Sequence, residues 1–368
     1  MVKLEVLLRE MVDRNASDLF LRVGARPMLR IDGLISETDF PPLSVTDAHN
    51  VATSLMNEEQ RKQFEQNPEV DLALGIKGIG RFRVNAYRQR GTVGLVFRHV
   101  RRPNMSFDDL NLPPAVKALS ETPRGMILVT GTTGSGKSTT LAAMINHINN
   151  YRRCHVVTIE DPIEFLHEDN IAIISQREIG FDTVSFAESL KHVLRQSPDV
   201  ILIGEMRDLE TVNTAISAAV TGHLVLSTLH TIDATSTIER VINFFPTYLQ
   251  HQIRMDLSIC LAGVISQRLL PCSGGQGRVP AVEIMINTST IRKLIFEGKI
   301  LEMQPFIEKG RHVGMQTFNQ SLYELYKKNF INYDDAIRFA SSPDEFRLLV
   351  EGIASGAADK TAKGYVTD

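Results

Sequence analysis

Cysteine is scarce in this chain of 368 residues: there are three, Cys154, Cys260 and Cys272. Odd in number, far apart and without a C-x-x-C pair, they frame neither a zinc site nor a redox dithiol, and they fit a reducing compartment. Also missing is any apolar run near the ~18–20 residues that a membrane span takes. Lys3, Glu5, Arg9 and Glu10 interrupt the N-terminal residues before a signal-peptide core forms. The expectation is a soluble cytoplasmic protein that reaches a membrane through a partner. Nor is there an excess of charge. The chain has 40 lysines and arginines against 43 aspartates and glutamates, a formal net charge of -3. That balance argues against coating nucleic acid or an anionic bilayer through the overall field, so a basic site must be local. No internal repeat is present. With 43% hydrophobic and 23% charged residues, disorder is excluded for most of the chain, and the length suits two domains or three small ones.

What is there divides into two texts. Leu4, Leu7, Leu8, Met11 and Val12 recur at helical spacing, which predicts an amphipathic helix. Strands are expected at 19–23 and 28–31, and helix starts at Ser44-x-x-Asp47 and Asn57-x-x-Gln60. Val70, Leu72, Leu74 and Ile76 alternate as a half-buried strand does, and Phe82, Val84 and Ala86 alternate against Arg81, Arg83 and Asn85. This predicts a small α+β domain over 1–102. Residues 103–114, with Pro103, Pro113 and Pro114, read as a linker. Beyond it, apolar runs at 126–130, 156–159, 200–203, 224–229 and 281–286 alternate with helical segments. That is the pattern of a parallel α/β sheet, expected over 115–300. A C-terminal helical region over 301–353 and a small polar tail over 354–368, read as disordered, complete the chain.

Gly131-Thr132-Thr133-Gly134-Ser135-Gly136-Lys137-Ser138 matches G-x-x-x-x-G-K-[ST] between a predicted strand and a predicted helix. Glycines let such a loop curl so that its N–H groups face phosphate oxygens. Thr133, Gly134, Ser135, Gly136, Lys137, Ser138 and Thr139 are therefore the expected nucleotide contacts, with Ser138 on Mg²⁺. Phosphoryl transfer also needs a metal-side acid and a group that orients water. Glu205, closing the apolar run 200–203 after Gly204, is the candidate for the first. Glu160, in Thr158-Ile159-Glu160-Asp161-Pro162-Ile163-Glu164, is the candidate for the second, and an exchange of the two roles stays open. Asp161 reads as a turn residue and Glu164 as solvated. His230, expected at the same sheet edge, senses the γ-phosphate or is structural. Between Gly75 and Arg102 stand Lys77, Arg81, Arg83, Arg88, Arg90, Arg98, Arg101 and Arg102, with no acid. Three readings remain: a solvated hairpin face, a nucleic-acid patch, or arginines that reach phosphate bound on another domain or subunit.

Together these segments resemble the secretion ATPase superfamily, most closely the type IV pilus retraction ATPases of the PilT/PilU branch. The likeness rests on the phosphate loop, on 158–164 as "Asp box", on Gly204-Glu205-Met206-Arg207-Asp208 as Walker B and on 221–230 as "His box". The resemblance implies a PAS-like N-terminal domain, a RecA-like P-loop core, and a homo-hexamer that hydrolyses ATP with Mg²⁺ and drives pilus retraction and twitching motility. By resemblance Arg83 and Arg98 are the arginines directed at nucleotide. The implied place is the cytoplasmic face of the inner membrane. The implied partners are a pilus platform protein and a paralogous retraction ATPase, with no nucleic acid. Extension and type II secretion ATPases share the core but carry extra N-terminal domains and usually a four-cysteine zinc module, so retraction is favoured. The segment 289–297 departs from the Ala-Ile-Arg-Asn-Leu-Ile-Arg-Glu motif of the principal motor, which leaves main motor and accessory paralogue both open. A DNA-translocating RecA-type ATPase, and a weakly hydrolysing, nucleotide-switched partner subunit of another motor, are the alternatives from other classes.

Overall fold

The computed structural model describes residues 3–352 except Arg102, Asn104 and Gln276. The expected tail and Arg102 lie outside the described residues. The described residues form two compact units, 3–101 together with Ile163–Leu166, and Pro103–Pro162 together with 167–352.

The first unit is a six-stranded sheet, β1 (Asp18–Arg22), β2 (Met28–Ile31), β3 (Leu34–Glu37), β4 (Glu69–Ile76), β5 (Gly80–Gln89) and β6 (Thr92–Val100), in the order β3-β2-β1-β6-β5-β4. Neighbours pair antiparallel. Alternation decides its faces: Leu19, Leu21, Leu72, Phe82, Val84 and Phe97 point to a core shared with the helices Leu4–Asp13 and Val45–Leu55. The two helix starts expected at Ser44 and Asn57 are both reciprocal capping boxes, which satisfy N–H groups that the first turn leaves without partners. Strand β3, not expected, continues from the Asp32-Gly33 turn as a short, mostly exposed edge.

In the second unit seven strands, β7 (Gly125–Thr130), β8 (His155–Glu160), β9 (Ile173–Glu178), β10 (Val200–Ile203), β11 (Leu224–Leu229), β12 (Leu261–Pro271) and β13 (Arg278–Ile286), lie in the order β13-β12-β7-β11-β10-β8-β9. All neighbours are parallel except β12 and β13. Strands β7, β10 and β11 are buried throughout, and the alternation within β7 shows why. Met126 and Leu128 join one apolar cluster while Ile127 and Val129 join the other, so helices cover both faces. Each fully buried Leu or Ile contributes about 1.5–3 kcal/mol.

Three differences from the sequence reading have physical causes. The expected linker 103–114 is packed, because Phe107 and Leu112 are buried in the second unit and Phe107 sits edge-on to His147 at 5.4 Å. Residues 163–166, expected inside the nucleotide domain, belong to the first unit. There Phe165 bridges Arg101, and the Leu166 N–H donates to the Arg101 carbonyl at 3.0 Å. Strands β9 and β12 were not expected, and β13 starts before residue 281.

Candidate active site

Strand β7 ends at Thr130, and the helix Lys137–Tyr151 starts at the lysine of the phosphate loop. The loop needs its glycines at specific points. Gly136, the residue before the helix, has φ +93, and Gly131 has φ +140. A Cβ on Gly131 would lie 2.4 Å from the Gln267 carbonyl oxygen and 2.5 Å from Ser135 Oγ. The loop therefore rests directly on β12. Lys137, only 8% exposed, donates from Nζ to the carbonyls of Gly131 at 2.9 Å and Thr132 at 3.1 Å. Its charge lies under the loop, at a helix start where N–H groups already favour an anion. Ser135 Oγ is buried and has no hydrogen-bond partner among the described residues. Thr133 and Gly134 are exposed, while Gly136, Ser138 and Thr139 are half-buried. A cleft of about 260 Å³ lies against the loop, lined by residues 132–135, Arg268, Leu269 and Phe339.

Because β7, β8, β10 and β11 are parallel, their carboxyl ends share one edge, where open α/β sheets bind ligands. Glu160 closes β8 and accepts hydrogen bonds from Thr158 Oγ1 at 2.7 Å and Gln176 Nε2 at 3.1 Å, both on Oε1. Gln176 is itself fixed, its Oε1 accepting from the His167 N–H at 2.8 Å. The Gly204 N–H donates to the Ile159 carbonyl at 2.8 Å, and Thr228 Oγ1 donates to the Gly204 carbonyl at 2.6 Å. These bonds hold the end of β10 between its neighbours. Glu205 follows at once. Arg207 places Nε at 2.8 Å and Nη2 at 2.7 Å from its Oε2, and His230 Nε2 is 3.3 Å from Oε1. Burial alone raises the Glu205 carboxyl, but Arg207 and His230 together outweigh it and hold the group below the ordinary carboxylate range.

His230 therefore stands beside Glu205, whereas His223 is engaged elsewhere, with Nδ1 2.9 Å from the Ala218 carbonyl. Asp161 and Glu164 are exposed. In the first unit, Arg83 and Arg98 are direct cross-strand partners on β5 and β6. Like charges so placed repel, and each is held by its own acceptor. Arg83 donates from Nε to the Ile163 carbonyl at 3.1 Å. Arg98 donates from Nε to Asp18 at 2.9 Å, and Arg30 approaches the same carboxylate at 3.3 Å. The sequence reading gave no role to Gln176 or Arg207. Gln176 sits on a strand with no clear periodicity. Arg207 stands two residues after Glu205, a spacing that puts a cation within reach of a carboxylate, and that was the available signal.

A strand, a glycine-rich loop cradling a lysine, a helix, and acids at the carboxyl ends of neighbouring strands define a P-loop nucleotide-hydrolysing fold. The comparisons agree. Residues 2–332 match the family model described as type II/IV secretion system protein. The type IV pilus ATPase PilU of Pseudomonas aeruginosa is 42% identical over 358 residues, 97% of this chain and 94% of that protein. The type IV pilus retraction ATPase PilT of the same organism is 46% identical over 333 residues, 90% of this chain and 96% of that protein. A crystal structure of the pilus retraction motor PilT with bound ADP superposes with a TM-score of 0.85 at 46% identity, covering 94% of this chain and 99% of that one. The chain belongs to the type II/IV secretion system ATPases and, within them, to the PilT/PilU branch. It is a nucleotide-using ATPase, and among its described residues no helix is long and apolar enough to cross a membrane.

Proposed function

We propose that this chain is an ATP-driven motor that retracts a type IV pilus, working as a homo-hexamer on a platform protein at the inner membrane. The observation that carries the chemistry is the convergence of Lys137, Glu160, Glu205 and His230 on one edge of the second sheet. Lys137 and the loop 133–139 bind the phosphates. Glu160, whose Oε1 is fixed by Thr158 and Gln176, orients the attacking water and takes its proton. His230 reports on the γ-phosphate through its contact with Glu205.

The residues fit Mg²⁺: the donors are a half-buried hydroxyl on Ser138 and a carboxylate on Glu205 held ionised, both hard oxygen ligands, and the loop has an unsatisfied buried hydroxyl on Ser135. Ser138 and Glu205 would hold the ion, which when bound neutralises charge on the transferring phosphoryl group. Arg83 and Arg98, cross-strand partners in the first unit, are the arginines that the resemblance directs at bound nucleotide, where their positive charge would stabilise the transferring phosphoryl group.

A second reading, an accessory motor paired with a paralogous retraction ATPase, is favoured by the match to PilU across 97% of the chain. The deciding experiment measures ATP turnover and particle mass of the purified chain with and without ATP, and twitching of a strain that lacks it. Absence of turnover overturns the motor reading. Turnover that appears only with a second retraction ATPase selects the accessory one.

A further inference from the structure

The turn between His230 and the helix Ala234–Asn243 is tied down by groups that no step above uses. Thr237 Oγ1 donates to the Asp233 carbonyl at 2.6 Å and lies 2.7 Å from Thr231 Oγ1. A hydroxyl has one proton to give, so the Thr231 hydroxyl is the donor in that second contact. From another element, β13, Glu283 accepts the Ala234 N–H at 2.9 Å, and Glu283 is only 1% exposed. Burial pushes its carboxyl up and Asp233 adds to this, against the Ala234 N–H, Gln304 and Arg268.

A buried carboxylate costs several kcal/mol of desolvation, and an apolar residue of similar volume is often more stable in its place. Capping the helix does not require it. Asp233 already does that, accepting the Ser236 N–H at 2.7 Å. The difference lies in what each acid is attached to. Asp233 moves with the helix, whereas Glu283 belongs to the sheet, so its bond fixes the first helical residue to β13. His230 is four residues before that point, with Nε2 3.3 Å from Glu205.

We propose that Glu283 and Thr237 are positioning residues, which anchor the start of this helix and the turn 231–233 so that His230 stands against Glu205. The inference rests on the role given to His230 above. A misplacement of about 1 Å in a reacting constellation costs about 10²-fold in rate.

Steady-state ATP turnover of the full chain tests it with two pairs of variants. Glu283→Leu and Thr237→Val remove the anchoring atoms while keeping volume; Glu283→Gln and Thr237→Ser keep an oxygen in place. The expected result is a kcat lowered about 10-fold or more by Leu and Val with the ATP KM changed less than about twofold, and most of the loss recovered by Gln and Ser. In a His230→Ala background neither Glu283→Leu nor Thr237→Val should lower kcat further. Wild-type kcat in both, no recovery by Gln and Ser, or additive losses in the His230→Ala background each overturn the proposal. If Glu283→Leu fails to fold, the near-isosteric Thr237 pair carries the test alone. Wild-type turnover in His230→Ala itself removes the role of His230, and the proposal with it. A slow His230→Ala beside fast positioning variants removes only the proposal.

Discussion

Lys137 is the side chain with most to lose. Its ammonium lies under the loop on the Gly131 and Thr132 carbonyls, and phosphate oxygens are the stronger acceptors for it. Lys137→Ala should abolish turnover and weaken ATP binding, read by turnover and by a fluorescent-nucleotide titration; hydrolysis near the wild-type rate would remove the phosphate-loop assignment. Glu160→Gln keeps an oxygen for Thr158 and Gln176 but cannot take a proton. It should retain ATP while turnover falls about 10²–10⁴-fold. If Glu160→Gln loses Mg-ATP instead and Glu205→Gln keeps it, the two acids exchange roles. Glu205 also has a pH signature. Its folded value lies below the ordinary 4.5, so its ionised form contributes stability above 4.5 that is lost as pH falls through the depressed value. Arg207→Ala removes the strongest of the opposing charges and leaves burial in place. The acid limb of the kcat profile should then move to higher pH, and an unmoved limb would show that Glu205 does not control it.

At the scale of elements, the phosphate loop depends on the strand beside it. Gly131→Ala sets a Cβ against the Gln267 carbonyl at φ +140. Strain and overpacking of this kind cost about 2–4 kcal/mol together. The variant should melt several degrees lower and bind ATP more weakly, measured by thermal unfolding with and without nucleotide; an unchanged melt would mean that the loop does not rest on β12. Strand β12 itself shows what the sequence hides. Its inner residues, such as Ser266 and Gln267, are polar yet buried, bonded to Thr130 and Thr140, so a hydropathy pattern passes over them. Strand β9 likewise carries Ser175, Gln176 and Arg177 in sequence. By contrast β7, β10 and β11 announce themselves, because strands covered on both faces read as near-continuous apolar runs, such as 126–129, 200–203 and 224–226. The same contrast runs through the site. Lys137, Glu160 and Glu205 follow apolar strands and were legible for that reason. Glu283, inside a strand and bonded to a helix start 49 residues earlier in the chain, needed the fold.

For the whole molecule the matter to test is how the arginine-rich first unit takes part in hydrolysis. Arg83 has a local occupation on the Ile163 carbonyl and Arg98 has one on Asp18, so loss of activity in Arg83→Ala or Arg98→Ala would not by itself separate a phosphate contact from a weakened first unit. An engaged arginine finger is worth about 10³–10⁵ in rate, and a solvated one almost nothing. Complementation separates the cases if the chain works as a ring. Lys137→Ala subunits lack the phosphate-binding charge but keep Arg83; Arg83→Ala subunits keep the phosphate loop. Each alone should be inactive. In mixed rings an intact Arg83 can meet an intact phosphate loop only where one kind of subunit adjoins the other, so turnover should reappear on mixing and pass through a maximum near equal proportions. An Arg83 that served only its own chain would leave every mixture inactive. Arg83→Ala active alone at matched thermal stability would return the hairpin to a solvated face.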